Sequence, residues 1–497
     1  MIAPSGTVTV DVIAERLRAS DIEARVVGVG ATRVAGITHD SRAVESGQVF
    51  ACLRGESFDG HEFAEGAVAD GAVALLVDHE VPQLETIPQI VVDDTRVAVG
   101  PASAAAWGDP SERLITIGIT GTNGKTTTAQ LLHALLEAAG HPTGIIGTLH
   151  GPRTTPEAPD LHSTLSRFVD EGKTAVVMEV SSHALALHRI DGTGFDVVAF
   201  TNFGHDHLDL HGSPEAYFRA KSALFTSTFA PVAVINVDDA HGSLLADTLS
   251  DRTGAEEMRV VTIDSTDLRD VEVGVAAHDY RWRDRDVHVA LGGGFNVLNS
   301  QMALSIIDEL DVDMDAALVG LEEFGSVPGR FELVETPETI RRGFSVVVDY
   351  AHTPDGLERV LADASEIAER RTIAVFGCAG RRDREKRPLM GAIAARLADV
   401  AIATSDNPRG EDPDEIIGDV LSGVPDEYRA RVLPITDRRR AIHHALTVAE
   451  SGDVVVIAGK GHETTQDLGS ETIEFDDRRI VSEELNDIVH DEPKDTP

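Results

Sequence analysis

The chain has 497 residues, 42% of them hydrophobic but only 4% aromatic, and its 84 acidic against 43 basic side chains leave a formal charge of −41. That length exceeds one ordinary core and implies two to four domains, while so negative a field argues against a general nucleic-acid or anionic-membrane binder. Two cysteines, Cys52 and Cys378, cannot make a disulfide framework, and no stretch has the length of a membrane span or the pattern of a leader, so a cytoplasmic protein is expected.

Residues 1–109 read as a small α/β unit closing on Ala102–Trp107 and the turn Gly108-Asp109-Pro110. Across 110–327, apolar runs of strand length at Leu114–Thr120, Ala175–Val180, Val197–Thr201 and Val232–Val237 alternate with helix-length stretches, the pattern of a parallel sheet covered by helices. Asp264 to Val289 is more charged and irregular, and reads as a small β excursion. After Ser326-Val327-Pro328-Gly329 the alternation resumes over 328–490, with strands at Val346–Tyr350, Thr372–Gly377, Val400–Thr404 and Val454–Ala458. The acidic tail 491–497 is expected to be disordered. The fold class is thus α/β in three domains: a small N-terminal α/β unit, a central P-loop-type parallel sheet and a C-terminal Rossmann-like unit.

Gly121–Thr127 reads GTNGKTT, a GxxGKT loop between the β-branched run Leu114–Thr120 and the helix-forming Thr126–Ala139. Backbone amides of such a turn wrap phosphate oxygens, the helix start favours negative charge, Lys125 reaches the terminal phosphates and Thr126 suits Mg²⁺. A nucleoside triphosphate is the expected ligand.

In open α/β sheets ligands gather beyond the carboxyl ends of strands. The other polar clusters sit there: Glu179-Val180-Ser181-Ser182-His183, Asn202 to His211, Asp349-Tyr350-Ala351-His352, Gly377 to Arg387, Asp406-Asn407-Pro408-Arg409, and Gly459 to Glu463. A cleft between two domains is the natural active site. Glu179 with His205, His207 and His211 suggests metal ligation; HxHxxxH spacing suits zinc, but the triphosphate loop implies Mg²⁺ first, and a solvated histidine loop needs no metal at all. Arg381, Arg382, Arg384, Lys386 and Arg387 gather positive charge suited to carboxylates or phosphates, in part through pairing with Asp383 and Glu385. The only lysines are Lys125, Lys173, Lys221, Lys386, Lys460 and Lys494. With arginine serving most surface needs, a retained lysine is marked for its own chemistry.

From Thr38-His39-Asp40-Ser41-Arg42 to GKGHE at Gly459–Glu463, these blocks together resemble the Mur ligase family, in the branch that adds meso-diaminopimelate to UDP-N-acetylmuramoyl-L-alanyl-D-glutamate at the expense of ATP. The resemblance implies three domains, Mg²⁺, and a monomer without nucleic-acid or membrane partners, acting in peptidoglycan synthesis. Carried over, Ser41, Glu56, Ser57 and Phe58 look like part of the uridine pocket, and Thr154, Thr155, Ser181 and Arg189 like residues holding the muramoyl dipeptide. Gly121, Thr122, Asn123, Gly124, Lys125, Thr126 and Thr127 resemble the ATP loop, with Asn299, Arg330, Asp349 and His352 on the nucleotide side. Thr126, Glu179, His207 and Lys221 resemble the catalytic and Mg²⁺-site set, Lys221 falling where the family carries a carbamylated lysine (N6-carboxylysine). Arg382, Asp406, Asn407, Pro408, Arg409, Gly459 and Glu463 resemble the diaminopimelate pocket, and the arginine of DNPR points to diaminopimelate rather than L-lysine, because the extra carboxylate wants a guanidinium partner. Leu187 departs from the family, which often has glutamine there. Sister ligases adding L-lysine or another amino acid, folylpolyglutamate and pseudomurein-type forms included, and a non-catalytic nucleotide-binding scaffold are the alternatives.

Overall fold

A computed structural model describes residues 8–55, 58–204, 206, 208–252 and 257–491. Five strands near the N-terminus form one sheet in which Ala24–Val27 pairs antiparallel with Gln89–Val92 and the remaining neighbours run parallel. The helix Thr95–Ala106 closes this unit.

The central sheet has six strands in the spatial order Arg259–Ile263, Val232–Asn236, Val197–Phe200, Ile115–Thr120, Ala175–Glu179, Thr143–Ile146, every pair parallel. Helices cover both faces, so its middle strands read as unbroken apolar runs rather than alternating ones: Ala175–Glu179 is buried at every position and Ile115–Thr120 at all but its first. Each Val or Ile withdrawn from water there contributes roughly 1.5–3 kcal/mol. The helix Lys125–Ala138 buries Leu131, Leu132, Leu135 and Leu136 against this sheet and against the helix Phe295–Glu309. It ends at Gly140 in the left-handed region, φ +84°, where the His141 and Gly140 amides donate to the carbonyls of Leu136 and Glu137.

The irregular stretch after Asp264 folds as a three-stranded antiparallel sheet, Leu268–Val273, His278–Trp282 and Arg285–Val289. His278–Trp282 alternates strictly, sending Tyr280 and Trp282 into the central core.

The third sheet follows the order Glu332–Leu333, Ser345–Asp349, Val454–Ala458, Thr372–Cys378, Val400–Ser405, Val432–Pro434, parallel except for its first strand. Strand ends differ from the sequence reading by one residue or none, apart from the added edge strands. The last helix, Asp477–Asp491, carries through the residue where a disordered tail was expected to begin, and 492–497 lie outside the described residues. No helix among the described residues is long and apolar enough to cross a membrane.

The central and C-terminal sheets are tied by a cap that crosses between them. Asp363, on the helix Pro354–Ile367, accepts the Phe295 amide at 2.8 Å, at the start of the helix Phe295–Glu309. Burial pushes the Asp363 carboxyl up to about 6, against the pull of the Phe295 amide and Arg359. A raised folded-state value means that the native protein holds this proton more tightly than the unfolded chain does. The associated stability is therefore present below about pH 4 and is lost as pH rises through 6, a change on the order of 3 kcal/mol. Asp363→Asn keeps an oxygen for the Phe295 amide and carries no charge. It is expected to raise urea resistance at pH 8 by about 1–3 kcal/mol and to change little near pH 4. An equal effect at both pH values would contradict the cap.

Candidate functional site

The loop after the strand Ile115–Thr120 is shaped by two glycines. Gly121 has φ +147°, and a Cβ there would lie 1.9 Å from the Thr201 hydroxyl; Gly124 has φ +88°, and a Cβ would meet the Asn299 amide oxygen at 2.5 Å. No side chain fits at either place. Asn202 fixes the turn, its side chain accepting from the Asn123 amide and donating to the Asn123 carbonyl, both at 3.0 Å. Lys125 folds back over the loop, Nζ donating to the carbonyls of Gly121 at 2.8 Å and Thr122 at 2.9 Å. Burial lowers its pKa, with Glu179 and Asp206 opposing.

Glu179 ends its strand fully buried and gathers hydroxyls: Thr126 Oγ1 donates to Oε2 at 2.9 Å, Thr148 Oγ1 donates to the same oxygen at 3.1 Å and the Thr148 amide donates to Oε1 at 2.9 Å. Thr148 was absent from the sequence reading, and its sign was only a polar residue just past a strand end. From the C-terminal side Arg330 reaches Thr126 Oγ1 at 3.4 Å while its guanidinium lies 4.4 Å from the Tyr350 ring centre. Lys221, 1% exposed, donates to the Gly121 carbonyl at 2.7 Å. Burial and the nearby Lys125 hold its amine well below the ordinary lysine range. His207 and His205 lie outside the described residues, and His211 Nε2 is 3.0 Å from the Ser182 hydroxyl.

Lys125, Thr126, Thr148, Glu179 and Arg330 line a cavity of about 280 Å³ that also takes in Thr122, Asn123, Gly124, Thr127, Thr154, Ser181, Asn299, Asp349 and His352, with Lys221 buried outside its lining. Asp349 is buried and accepts the Phe331 and Ala351 amides, both at 2.7 Å; burial raises its carboxyl while Arg330 and those amides lower it. Thr155 and Arg189 stand behind this wall rather than on it: the Thr155 hydroxyl donates to the Glu179 carbonyl at 2.8 Å, and Arg189 is paired with Glu157 at 2.9 Å.

A second cavity of about 350 Å³ is lined by Arg382, Asp406, Asn407, Arg409, Gly459 and Glu463 among others. Asp206, Tyr350, His352 and Thr353 line both cavities, which therefore open into one cleft. Asn407 Nδ2 donates to Glu463 Oε2 at 2.9 Å, and Asn407 Oδ1 accepts the Asp467 amide at 2.9 Å. The buried Lys460 reaches Glu463 at 3.2 Å. Asp406 Oδ2 is buried without a hydrogen-bond partner. Pro408 does not line the cavity; its carbonyl packs where Gly380 leaves no room for a Cβ.

The arginine cluster divides differently from the sequence reading. Its partners are Glu411 and Asp419, not Asp383 and Glu385: buried Arg387 pairs with both, and Arg384 with Glu411. Lys386 donates to the His352 carbonyl at 2.8 Å. Lys125 and Lys386 thus line the cleft, and Lys221 and Lys460 are buried behind it, bonded to Gly121 and Glu463. Of the expected uridine residues, Glu56 and Ser57 lie outside the described residues, Ser41 sits in the turn after Ile37–Thr38, and Phe58 is 69% exposed, edge-to-face with Phe63 at 6.4 Å.

Comparison with known proteins agrees with this geometry. Residues 33–106 match the family model "Mur ligase family, catalytic domain", 119–307 the "Mur ligase middle domain" and 329–461 the "Mur ligase, glutamate ligase domain". A UDP-N-acetylmuramoyl-L-alanyl-D-glutamate–2,6-diaminopimelate ligase of Geobacillus kaustophilus is 41% identical, the match covering 90% of this chain and 94% of that protein. The enzyme of the same name from Clostridium perfringens is 39% identical over 90% and 94%. A solved structure of a ligase bearing that name superposes with a TM-score of 0.65 at 34% identity, covering 92% of this chain and 96% of its own. On sequence and fold together, the chain belongs to the Mur ligase family.

Proposed function

We propose that this chain is a cytoplasmic, ATP-dependent amide ligase that joins meso-2,6-diaminopimelate to the D-glutamyl carboxylate of UDP-N-acetylmuramoyl-L-alanyl-D-glutamate, a step in making peptidoglycan precursor. The observation that carries this reading is the paired cavity: a triphosphate loop floors one half, an arginine-flanked polar pocket forms the other, and four residues are common to both.

A carboxylate is a poor electrophile, which is why ATP is needed. Transfer of the γ-phosphoryl group to the D-glutamyl carboxylate yields ADP and an acyl phosphate. The free amine of diaminopimelate then attacks the acyl carbon, the C–N bond forms, the amine proton passes to solvent, and the C–O bond to phosphate breaks as the tetrahedral intermediate collapses. Lys125 turns from the loop carbonyls to the terminal phosphates and, with Arg330, spreads the charge of the group in transfer. Asn299, Asp349 and His352 border the nucleotide.

Thr126 and Glu179 offer hard oxygen donors 2.9 Å apart, a fit to Mg²⁺, with His207 and a carbamylated Lys221 completing the set. Bound there, Mg²⁺ would neutralise triphosphate charge. Lys221 supports the modification, because its buried amine is held toward the neutral form that adds to CO₂. With ¹³C-bicarbonate, a carbamate resonance is expected in the native chain and should vanish in Lys221→Met; its persistence would remove the assignment.

Thr154 and Ser181 take the muramoyl dipeptide at the first cavity, backed by Thr155 and Arg189. The exposed Phe58 offers the uracil a ring surface, and Ser41, Glu56 and Ser57 are assigned to the same pocket on the family resemblance alone. Unpartnered Asp406 Oδ2 suits the ammonium group of the incoming amino acid, and Arg382 and Arg409 suit its carboxylates. Units 1–109, 110–327 and 328–490 close on one another to bring the amine to the acyl phosphate and exclude water.

ADP release with the muramoyl dipeptide should depend on meso-diaminopimelate and be weak with L-lysine; equal rates would overturn the amino-acid assignment. Arg409→Ala is expected to raise the KM for diaminopimelate at least 10-fold, in line with a lost charge-assisted pair, while the KM for ATP changes little. Equal loss of both would refute its role.

A further inference from the structure

Away from the cleft, one cluster in the N-terminal unit has no part in the chemistry above. His61, in the turn Gly60–Phe63, and Asp78 and His79, just past the strand Ala74–Val77, each offer one ligand atom, and the three atoms lie within 4.8 Å of one another. His61 Nε2 is 3.4 Å from Asp78 Oδ1, and His79 Nδ1 is 2.5 Å from the same oxygen. The two imidazoles stack with centroids 4.3 Å apart and planes 26° from parallel.

The arrangement is held from outside. Asp59 Oδ1 lies 2.6 Å from His61 Nδ1 and also accepts the His61 amide at 3.0 Å. That places the ring proton on Nδ1, the carboxylate–histidine relay that commonly orients a metal-bound imidazole, and leaves the Nε2 lone pair facing Asp78, whose backbone amide donates to it at a long 3.4 Å and would yield it to an ion. Arg54 grips Asp78 edge-on, at 2.7 Å to Oδ2 and 3.1 Å to Oδ1, fixing the carboxylate plane. Two carboxylates and one guanidinium leave a net negative charge. His61 is nearly buried, with its side chain 8% exposed, whereas His79 is open to solvent and gives an ion its way in.

We propose that His61, Asp78 and His79 form a site for a borderline divalent cation of the zinc class, with water completing the tetrahedron. Two nitrogens and one carboxylate oxygen are the donors Zn²⁺ prefers over Mg²⁺, at about 2.0–2.2 Å each. A small rotation of the exposed His79 ring would widen its 2.5 Å approach to Asp78 to the spacing such bonds need. The ion would clamp the turn Gly60–Phe63 to the strand end, directly after the segment 56–58.

The test is calorimetric titration of Zn²⁺ into the chelator-washed full chain under saturating Mg²⁺, with Co²⁺ absorption as a geometric readout. One equivalent is expected, with a tetrahedral Co²⁺ spectrum. His79→Ala, a surface change, should weaken binding at least 10-fold, and His61→Gln likewise, while Glu179→Gln leaves it unchanged. Zn²⁺ binding no tighter in the native chain than in His79→Ala, or binding lost with Glu179→Gln instead, would overturn the site.

Discussion

Lys125→Met is expected to lower the rate of acyl-phosphate formation by about 10²–10³, the usual loss when one preorganised donor to a developing charge is removed. The ammonium lies 2.8–2.9 Å from two carbonyls of the loop itself, so only a turn of its own side chain carries it from them to the terminal phosphates. Methionine has a similar stem and no charge, which separates electrostatics from packing. Single-turnover ADP formation measures the step; a rate within threefold of the native chain would mean that Lys125 does not face the transferring group.

Arg438→Met is expected to cost about 3–5 kcal/mol of stability, because it strands a buried carboxylate. Arg438 and Asp477 are wholly buried and joined at 2.7 and 2.8 Å. The same guanidinium donates to the carbonyls of Ala458 at 3.0 Å and Ser405 at 3.5 Å, the last residues of the two strands that lead into Gly459 and Asp406. Two readouts should therefore separate. Adding Asp477→Leu should restore much of the stability, since it removes the stranded charge, yet leave the KM for diaminopimelate raised, since the strand-end carbonyls still lack their donor. Full recovery of both would reduce Arg438 to a packing residue.

What the sequence made legible follows from which interactions are local. Buried parallel strands announce themselves as unbroken apolar runs, so Val454–Ala458 was read to the residue and Ile115–Thr120 to within one. The turn at Gly121–Gly124 was legible because its two glycines answer backbone geometry within a single turn. Partnerships across long stretches of chain were not. Arg387 finds Glu411 and Asp419, 24 and 32 residues away, rather than its neighbours Asp383 and Glu385. Likewise the hold of Thr148 on Glu179 and the reach of Asp363 to Phe295 exist only once the sheets are assembled. Of the histidine loop only His211 falls among the described residues, where it meets the Ser182 hydroxyl.

The placing of the few lysines bears on how the protein can be handled. Lys221 and Lys460 are sealed from solvent, whereas Lys125, Lys173 and Lys386 are half-buried, and of these Lys125 and Lys386 stand on the walls of the cleft while Lys173 pairs with Glu137 away from it. Amine-directed dyes or resins should therefore be applied with the ligands of the cleft bound, which shields Lys125 and Lys386 and leaves Lys173 to take the label on another face.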